Sequence, residues 1–192
     1  MSDNHPTIEV ETKTSKATLI QELDLLFRET NDYKKGLLFE KFVHNLFVDF
    51  ASLEITPYTL YQEEKQVDFK ALNNQLVNDG EYIWVECKHT DEIGAPSCFK
   101  IAGHLWLSGG RAKTAFIFSL GGFTKTAMTV ARDICKQPTR ERLVLVNKFD
   151  IEKFLKNEND FKKWIRDLCT RADETGQPGG RLPENDLGRK TI

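Results

Sequence analysis

The chain has 192 residues, 40% of them hydrophobic and 29% charged, with 12 Gly and 6 Pro, which excludes low-complexity, collagen-like and wholly disordered chains and allows one substantial core. The net charge of −2 is unevenly spread: residues 1–70 sum to −5, residues 71–87 to −3 and residues 88–148 to +6. That spread suits a polyanion held beside a carboxylate site, and it is equally common on an ordinary solvated surface.

Along the chain, residues 1–16 are polar and lack periodicity, so they are expected to form a flexible arm. Leu19, Leu23, Leu26 and Phe27 then recur at helical spacing, and after Asn31-Asp32 a second helix is marked by Phe39, Phe42, Val43, Leu46, Phe47 and Phe50. Residues 53–61 read as an edge strand, because Pro57 removes a ladder donor. Val67–Ala71 and Glu81–His89 both alternate, and Asn and Gly punctuate the stretch between them, which predicts an antiparallel pair. Residues 97–107 read as a helix ended by Ser108-Gly109-Gly110. Ala115-Phe116-Ile117-Phe118 is a strand covered on both faces, and Gly121-Gly122 turns into a helix capped by Thr124 and closed by Pro138. Leu143–Val146 completes a strand, helix, strand unit, which predicts a parallel pair inside a mixed sheet. Asp150 is expected to cap a short helix and Asn159 or Asp160 another, and the chain from 175 onward reads as a disordered tail or linker.

Cys87, Cys98, Cys135 and Cys169 show no Cys-x-x-Cys pair and sit among apolar residues, so buried free thiols are expected rather than a zinc site or a disulfide framework. No run reaches the roughly 18 apolar residues of a membrane-spanning helix. Met1-Ser2-Asp3-Asn4-His5-Pro6 lacks the basic and apolar regions of a secretory signal, so a soluble cytoplasmic protein is expected.

The chemistry concentrates in the two alternating segments. Asp68 and Lys70 share one face of the first, and Glu86 and Lys88 share a face of the second. At about 3.3 Å per residue, the Cβ atoms of Glu86 and Lys88 stand roughly 6–7 Å apart and can serve one reaction centre. If the strands pair near that register, Asp68, Glu86, a backbone carbonyl and water form a reasonable octahedral Mg²⁺ site. Lys88 would supply positive charge to a phosphorane or position the water. The same alternation also describes the wet face of an antiparallel sheet. Cys87 shares the apolar face and reads as a buried thiol, not a nucleophile. His89 follows that face but ends the strand, leaving a turn toward substrate open, and nothing in the sequence makes His44 or His104 a proton shuttle. The glycine pairs lack the spacing of nucleotide-binding loops and read as turns, although the helix opening at Thr124 and Lys125 can receive a phosphate.

Val67-Asp68-Phe69 followed by Tyr82-Ile83-Trp84-Val85-Glu86-Cys87-Lys88-His89 resembles the core of the PD-(D/E)xK nuclease superfamily, in particular the Mrr-like restriction endonuclease domain. Gly36-Leu37-Leu38-Phe39-Glu40-Lys41-Phe42 resembles that group's first core helix, and Ala115 through Thr124, with Ala127 and Ala131, its later strand, glycine turn and small-residue helix. The resemblance implies a restriction-endonuclease-like three-layer α/β fold, with a central mixed sheet flanked by helices, in a nuclease domain over residues 17–174. It implies Asp68, Glu86 and the Cys87 carbonyl as ligands of Mg²⁺ (Mn²⁺ as substitute), Lys88 as catalytic lysine, and Glu40 acting through water or a second cation. The expected activity is metal-dependent DNA endonuclease, fitting the effector of a restriction or antiviral defence system, with a homodimer or a further recognition or regulatory domain or subunit as partners and no membrane. Basic residues of the central segment (Lys100, Arg111, Lys113, Lys125) with Thr124 are the expected nucleic-acid contacts. The alternative is a noncatalytic nucleic-acid-binding or assembly module that keeps the fold.

Overall fold

Strand β3 (Tyr82–Lys88) sends Ile83, Val85 and Cys87 to one side and Trp84 and Glu86 to the other, and all five are buried. The protein is seen here as a computed structural model that describes residues 15–51, 55–57, 68–72, 82–90, 92–139, 141–157 and 160–175. Five strands lie in the order β1 (Ile55–Pro57), β2 (Phe69–Leu72), β3, β4 (Ala112–Ser119), β5 (Arg142–Asn147). The pairs β1–β2 and β2–β3 are antiparallel, whereas β3–β4 and β4–β5 are parallel. Pro57 thus falls in an edge strand, as its missing donor leads one to expect.

Two parallel pairs require two crossovers, and helices α3 (Ala95–Leu107) and α4 (Lys125–Cys135) supply them on one face of the sheet. There Cys98, Ile101, Leu105, Ala127, Ala131 and Ile134 pack on Trp84, Ala115, Ile117, Leu143 and Leu145. Helices α1 (Lys16–Arg28), α2 (Asp32–Ala51), α5 (Lys148–Asn157) and α6 (Phe161–Thr175) cover the opposite face. At the centre of that second core the fully buried Phe47 meets Phe69, Phe116, Phe118 and Phe161 edge-on, with ring centroids 5.6, 6.2, 6.0 and 5.2 Å away. Edge-to-face pairs of this kind contribute about 0.5–1.5 kcal/mol each beyond area burial. Layers of helix, mixed sheet and helix are what the sequence resemblance implies, and the antiparallel and parallel pairs are those the periodicities predict.

Element ends show where local chemistry overrides pattern. α1 starts at Lys16, with the Ser15 hydroxyl accepting from Thr18 N at 3.2 Å, so these two residues belong to the helix and not to the expected arm. α3 starts at Ala95, two residues earlier than predicted, because Pro96 in a first turn needs no hydrogen-bond partner. Asp150 does not cap α5. Asn147 does, its Oδ1 accepting from Phe149 N (2.9 Å) and Asp150 N (3.0 Å), while Asp150 Oδ2 returns the bond from Asn147 N (3.1 Å) in a capping box. Asp160 caps α6 by accepting from Lys163 N, and Thr124 caps α4 by accepting from Ala127 N. Thr175 is the last residue of α6, one position into the predicted tail. Residues 1–14 of the predicted arm, the tail from 176, Val67 and the punctuating stretch at 73–80 lie outside the described residues. Among the described residues no helix is long and apolar enough to cross a membrane.

The glycine turns have a backbone reason. Gly109 (φ 64°), Gly110 (φ 86°) and Gly122 (φ 89°) adopt the left-handed region as the chain leaves α3 and enters α4. All four cysteines are free, with Cys87, Cys98 and Cys169 buried and Cys135 half-buried.

Candidate active site

The β2–β3 register opposes Phe69 to Val85, which brings the preceding Asp68 level with the far end of β3. Asp68 is fixed there twice: its N–H donates to Val85 O at 3.1 Å, and its Oδ2 accepts from Cys87 N at 2.6 Å. A main-chain donor beyond the last paired residue of β2 would otherwise need water, and the carboxylate satisfies it. Across the strand, the Glu86 side chain is buried on the α3 side, and Lys88 Nζ lies 2.5 Å from its Oε1 with the lysine side chain 35% exposed. Period-two alternation thus sets Glu86 and Lys88 side by side, as expected, and the hairpin pairing brings Asp68 to them.

Electrostatics identify the charged forms. Burial, and next the charge of Asp68, push the Glu86 acid upward, opposed by the hydrogen bond and charge of Lys88 and by the charge of Lys100. For Lys88, burial pulls the ammonium down, but the hydrogen bond to Glu86 and the charges of Glu86 and Asp68 outweigh it, so the net direction is up. The balance favours the ammonium form of Lys88. Burial, then the charges of Asp68, Glu40 and Glu86, pushes the Cys87 thiol well up, which removes the thiolate a nucleophile would need.

A carboxylate whose ionisation is made costlier by burial and by the charge of a neighbouring carboxylate, as Glu86 is beside Asp68, fits a divalent cation, which relieves that repulsion. Glu40 reaches the same strand position from α2, on the opposite side of the sheet, where its charge is felt at Cys87. Asp68, Glu86 and Lys88 form one group. Among the described residues no three His, Cys, Asp or Glu side chains converge in one ready-made metal cluster.

The three described histidines each lie against a neighbouring element. The His89 ring lies against α2, so close to Gly36 that a Cβ there would be 3.0 Å from its Cε1. His44 stands edge-on to Phe69 at 5.7 Å, and His104 lies beside Trp84 at 6.3 Å.

The expected nucleic-acid contacts divide between two ends of the sheet. Thr124 and Lys125 open α4 beyond the C-terminal ends of β3 and β4, where Leu120 N donates to Lys88 O at 3.1 Å and a short bridge joins Ile93 to Phe123. Arg111 and Lys113 flank the start of β4, at the Tyr82 end of β3 away from Asp68, with the Arg111 guanidinium 5.5 Å from the Tyr82 ring centre. The eight residues of β4 put about 25 Å between these groups. Lys100 lies between them, within electrostatic reach of Glu86. Lys70 stacks over Trp84 at 5.0 Å on the same face as Asp68. Sequence alternation gives its face but not its aromatic platform. Gly36 likewise carries no signal of its own until His89 is seen to fill the space it leaves.

No protein-family model and no curated protein matches the chain. Two solved structures are similar. The small subunit of the heterodimeric restriction endonuclease R.BspD6I aligns over 82% of this chain and 94% of its own, at 14% identity and a TM-score of 0.47. The restriction endonuclease FokI bound to DNA aligns over 90% of this chain, at 8% identity and a TM-score of 0.52. The chain spans about a third of the FokI chain, 34% of its length. The fold is restriction-endonuclease-like, a mixed sheet between helical layers as the sequence resemblance implies.

Proposed function

We propose, on the premise of that fold, that the chain is a divalent-metal-dependent endonuclease hydrolysing DNA phosphodiester bonds, serving as the nuclease effector of a restriction or antiviral defence system. The observation that carries this reading is the convergence of Asp68, pinned to Cys87 N at 2.6 Å, with the buried Glu86 and its partner Lys88. Asp68, Glu86 and the Cys87 carbonyl would hold the metal, with Glu40 serving a water or a second cation from the α2 side. Mg²⁺, or Mn²⁺ in its place, supplies charge neutralisation of the phosphate and a lower pKa for the attacking water when bound.

The chain's own residues do the rest. Asp68 and Glu86 orient the centre through bonds to main chain and lysine. Lys88, held as an ammonium, faces the negative charge that grows on the phosphate oxygens as water adds to phosphorus and the ester P–O bond breaks. DNA is the proposed substrate, a second copy of the chain the proposed route to cutting both strands, and a further domain or subunit the proposed source of sequence recognition.

The test is a nuclease assay with Mg²⁺ or Mn²⁺ on supercoiled DNA, linear duplex, single-stranded DNA and RNA, with Asp68→Ala in parallel. Metal-dependent cutting of DNA that Asp68→Ala abolishes supports the reading. Metal-dependent binding without cutting favours the noncatalytic module, and preference for RNA replaces the substrate.

A further inference from the structure

Because β3 and β4 are parallel, α3 between them runs back along β3. The contact between His104 and Trp84 fixes the register of helix on strand. Lys100 precedes His104 by four residues, about 6 Å of helix rise on the same face, and Glu86 follows Trp84 by two residues, about 6.6 Å of strand. The two displacements point the same way, so Lys100 stands at the level of Glu86. Its charge indeed acts on that carboxylate. Unlike Lys88, it is exposed and, among the described residues, makes no ion pair or hydrogen bond through its side chain.

We propose that Lys100 is a second catalytic lysine of this centre, its ammonium taking a non-bridging oxygen of the phosphate presented to Asp68 and Glu86 from the α3 side. The proposal rests on the nuclease reading above and divides the work between two cations. Lys88 faces the phosphate while tied to Glu86, its Nζ 2.5 Å from Oε1. Lys100 keeps an uncommitted charge for substrate, on a long stem that lets it follow the oxygen as the phosphate changes geometry. This separates Lys100 from Arg111, Lys113 and Lys125, which lie toward the ends of the sheet and would act on flanking phosphates only.

The test uses the full chain and compares wild type, Lys100→Ala, and Lys162→Ala as a charge-matched control on α6. Cleavage of plasmid is followed in Mg²⁺, and duplex binding in Ca²⁺ over a salt series. Lys100→Ala is expected to lower kcat by a factor on the order of 10², the usual loss of one transition-state charge contact. Duplex affinity should weaken about threefold, with the salt slope shallower by about one ion, and Lys162→Ala should change neither. A kcat within twofold of wild type, or equal losses in the two variants, overturns the proposal. If wild-type protein cuts no nucleic acid in any metal, the nuclease reading fails. Lys100 is then judged on binding: a slope shallower by about one keeps it as a phosphate contact, and an unchanged slope rejects it.

Discussion

The carboxylate of Asp68 accepts the main-chain N–H of Cys87 at 2.6 Å, so the residue that would bind metal also closes the hydrogen bonding between β2 and β3. The two duties separate by substitution. Asp68→Asn keeps an acceptor and loses the charge, whereas Asp68→Ala loses both. We expect cleavage to fall by a factor of at least about 10² in each, since the charge is common to both losses. Stability should differ: near wild type for Asp68→Asn, and lower by about 1–3 kcal/mol for Asp68→Ala, the cost of an unmet main-chain donor. Urea unfolding beside the plasmid assay checks this, and equal stabilities would show that water replaces the carboxylate.

Lys88 should affect rate more than binding. In the proposed nuclease its ammonium would serve one carboxylate and one reacting phosphate, while duplex affinity would draw on dispersed contacts, so Lys88→Ala is expected to lower kcat at least tenfold more than it weakens binding. Lys88→Arg should not restore the rate, because a planar guanidinium cannot reproduce a compact donor 2.5 Å from Glu86 Oε1. Equal losses in kcat and affinity, measured with Mg²⁺ and Ca²⁺ respectively, would make Lys88 a clamp on substrate.

Gly36 and His89 predict a reversal of sign. Glycine inside a helix costs about 1 kcal/mol relative to alanine, yet a Cβ at Gly36 would meet the His89 ring at 3.0–3.1 Å. Gly36→Ala should therefore destabilise wild type, because the ring must move against a packed helix. In a His89→Ala background the same change should stabilise by up to about 1 kcal/mol, since only propensity remains. Thermal or urea unfolding of the four proteins decides it, and the same sign in both backgrounds would show that the ring yields freely.

The cysteines predict an alkaline weakness. Burial pushes the Cys98 thiol up to about 11 and the Cys169 thiol up to about 12, from an ordinary 9.0. Below pH 9 both are protonated in folded and unfolded chains and stability is unaffected. Above it the unfolded chain loses protons that the fold retains, so stability falls by about 1.4 kcal/mol per pH unit per thiol, until pH 11 for Cys98 and pH 12 for Cys169. Urea midpoints at pH 8 and pH 10.5 should separate clearly for wild type and less for Cys169→Ala. A pH-independent midpoint would mean the thiols reach water.

Much of this was legible because strand chemistry is local. Alternation alone assigns Glu86 and Lys88 to one face and Cys87 to the other, and the apolar run at 115–118 announces a strand covered twice. The sites that escape are those made by one element on another. The level of Lys100 over Glu86 depends on the register of α3, which no helical period encodes. The Asn147–Asp150 exchange was read as a cap at the wrong member, because either residue type can open a helix and only the strand's end decides which one does. Gly36 looks like an ordinary weak spot in a helix until its neighbour is known.

β1 and β2 form a ribbon of three and four residues at the margin of the sheet, whereas β3 lies between paired strands with helices on both sides. The centre is therefore shared between two strands: Glu86 and Lys88 come from one paired on both sides, and Asp68 comes from its antiparallel neighbour, tied back by the bonds at Val85 O and Cys87 N.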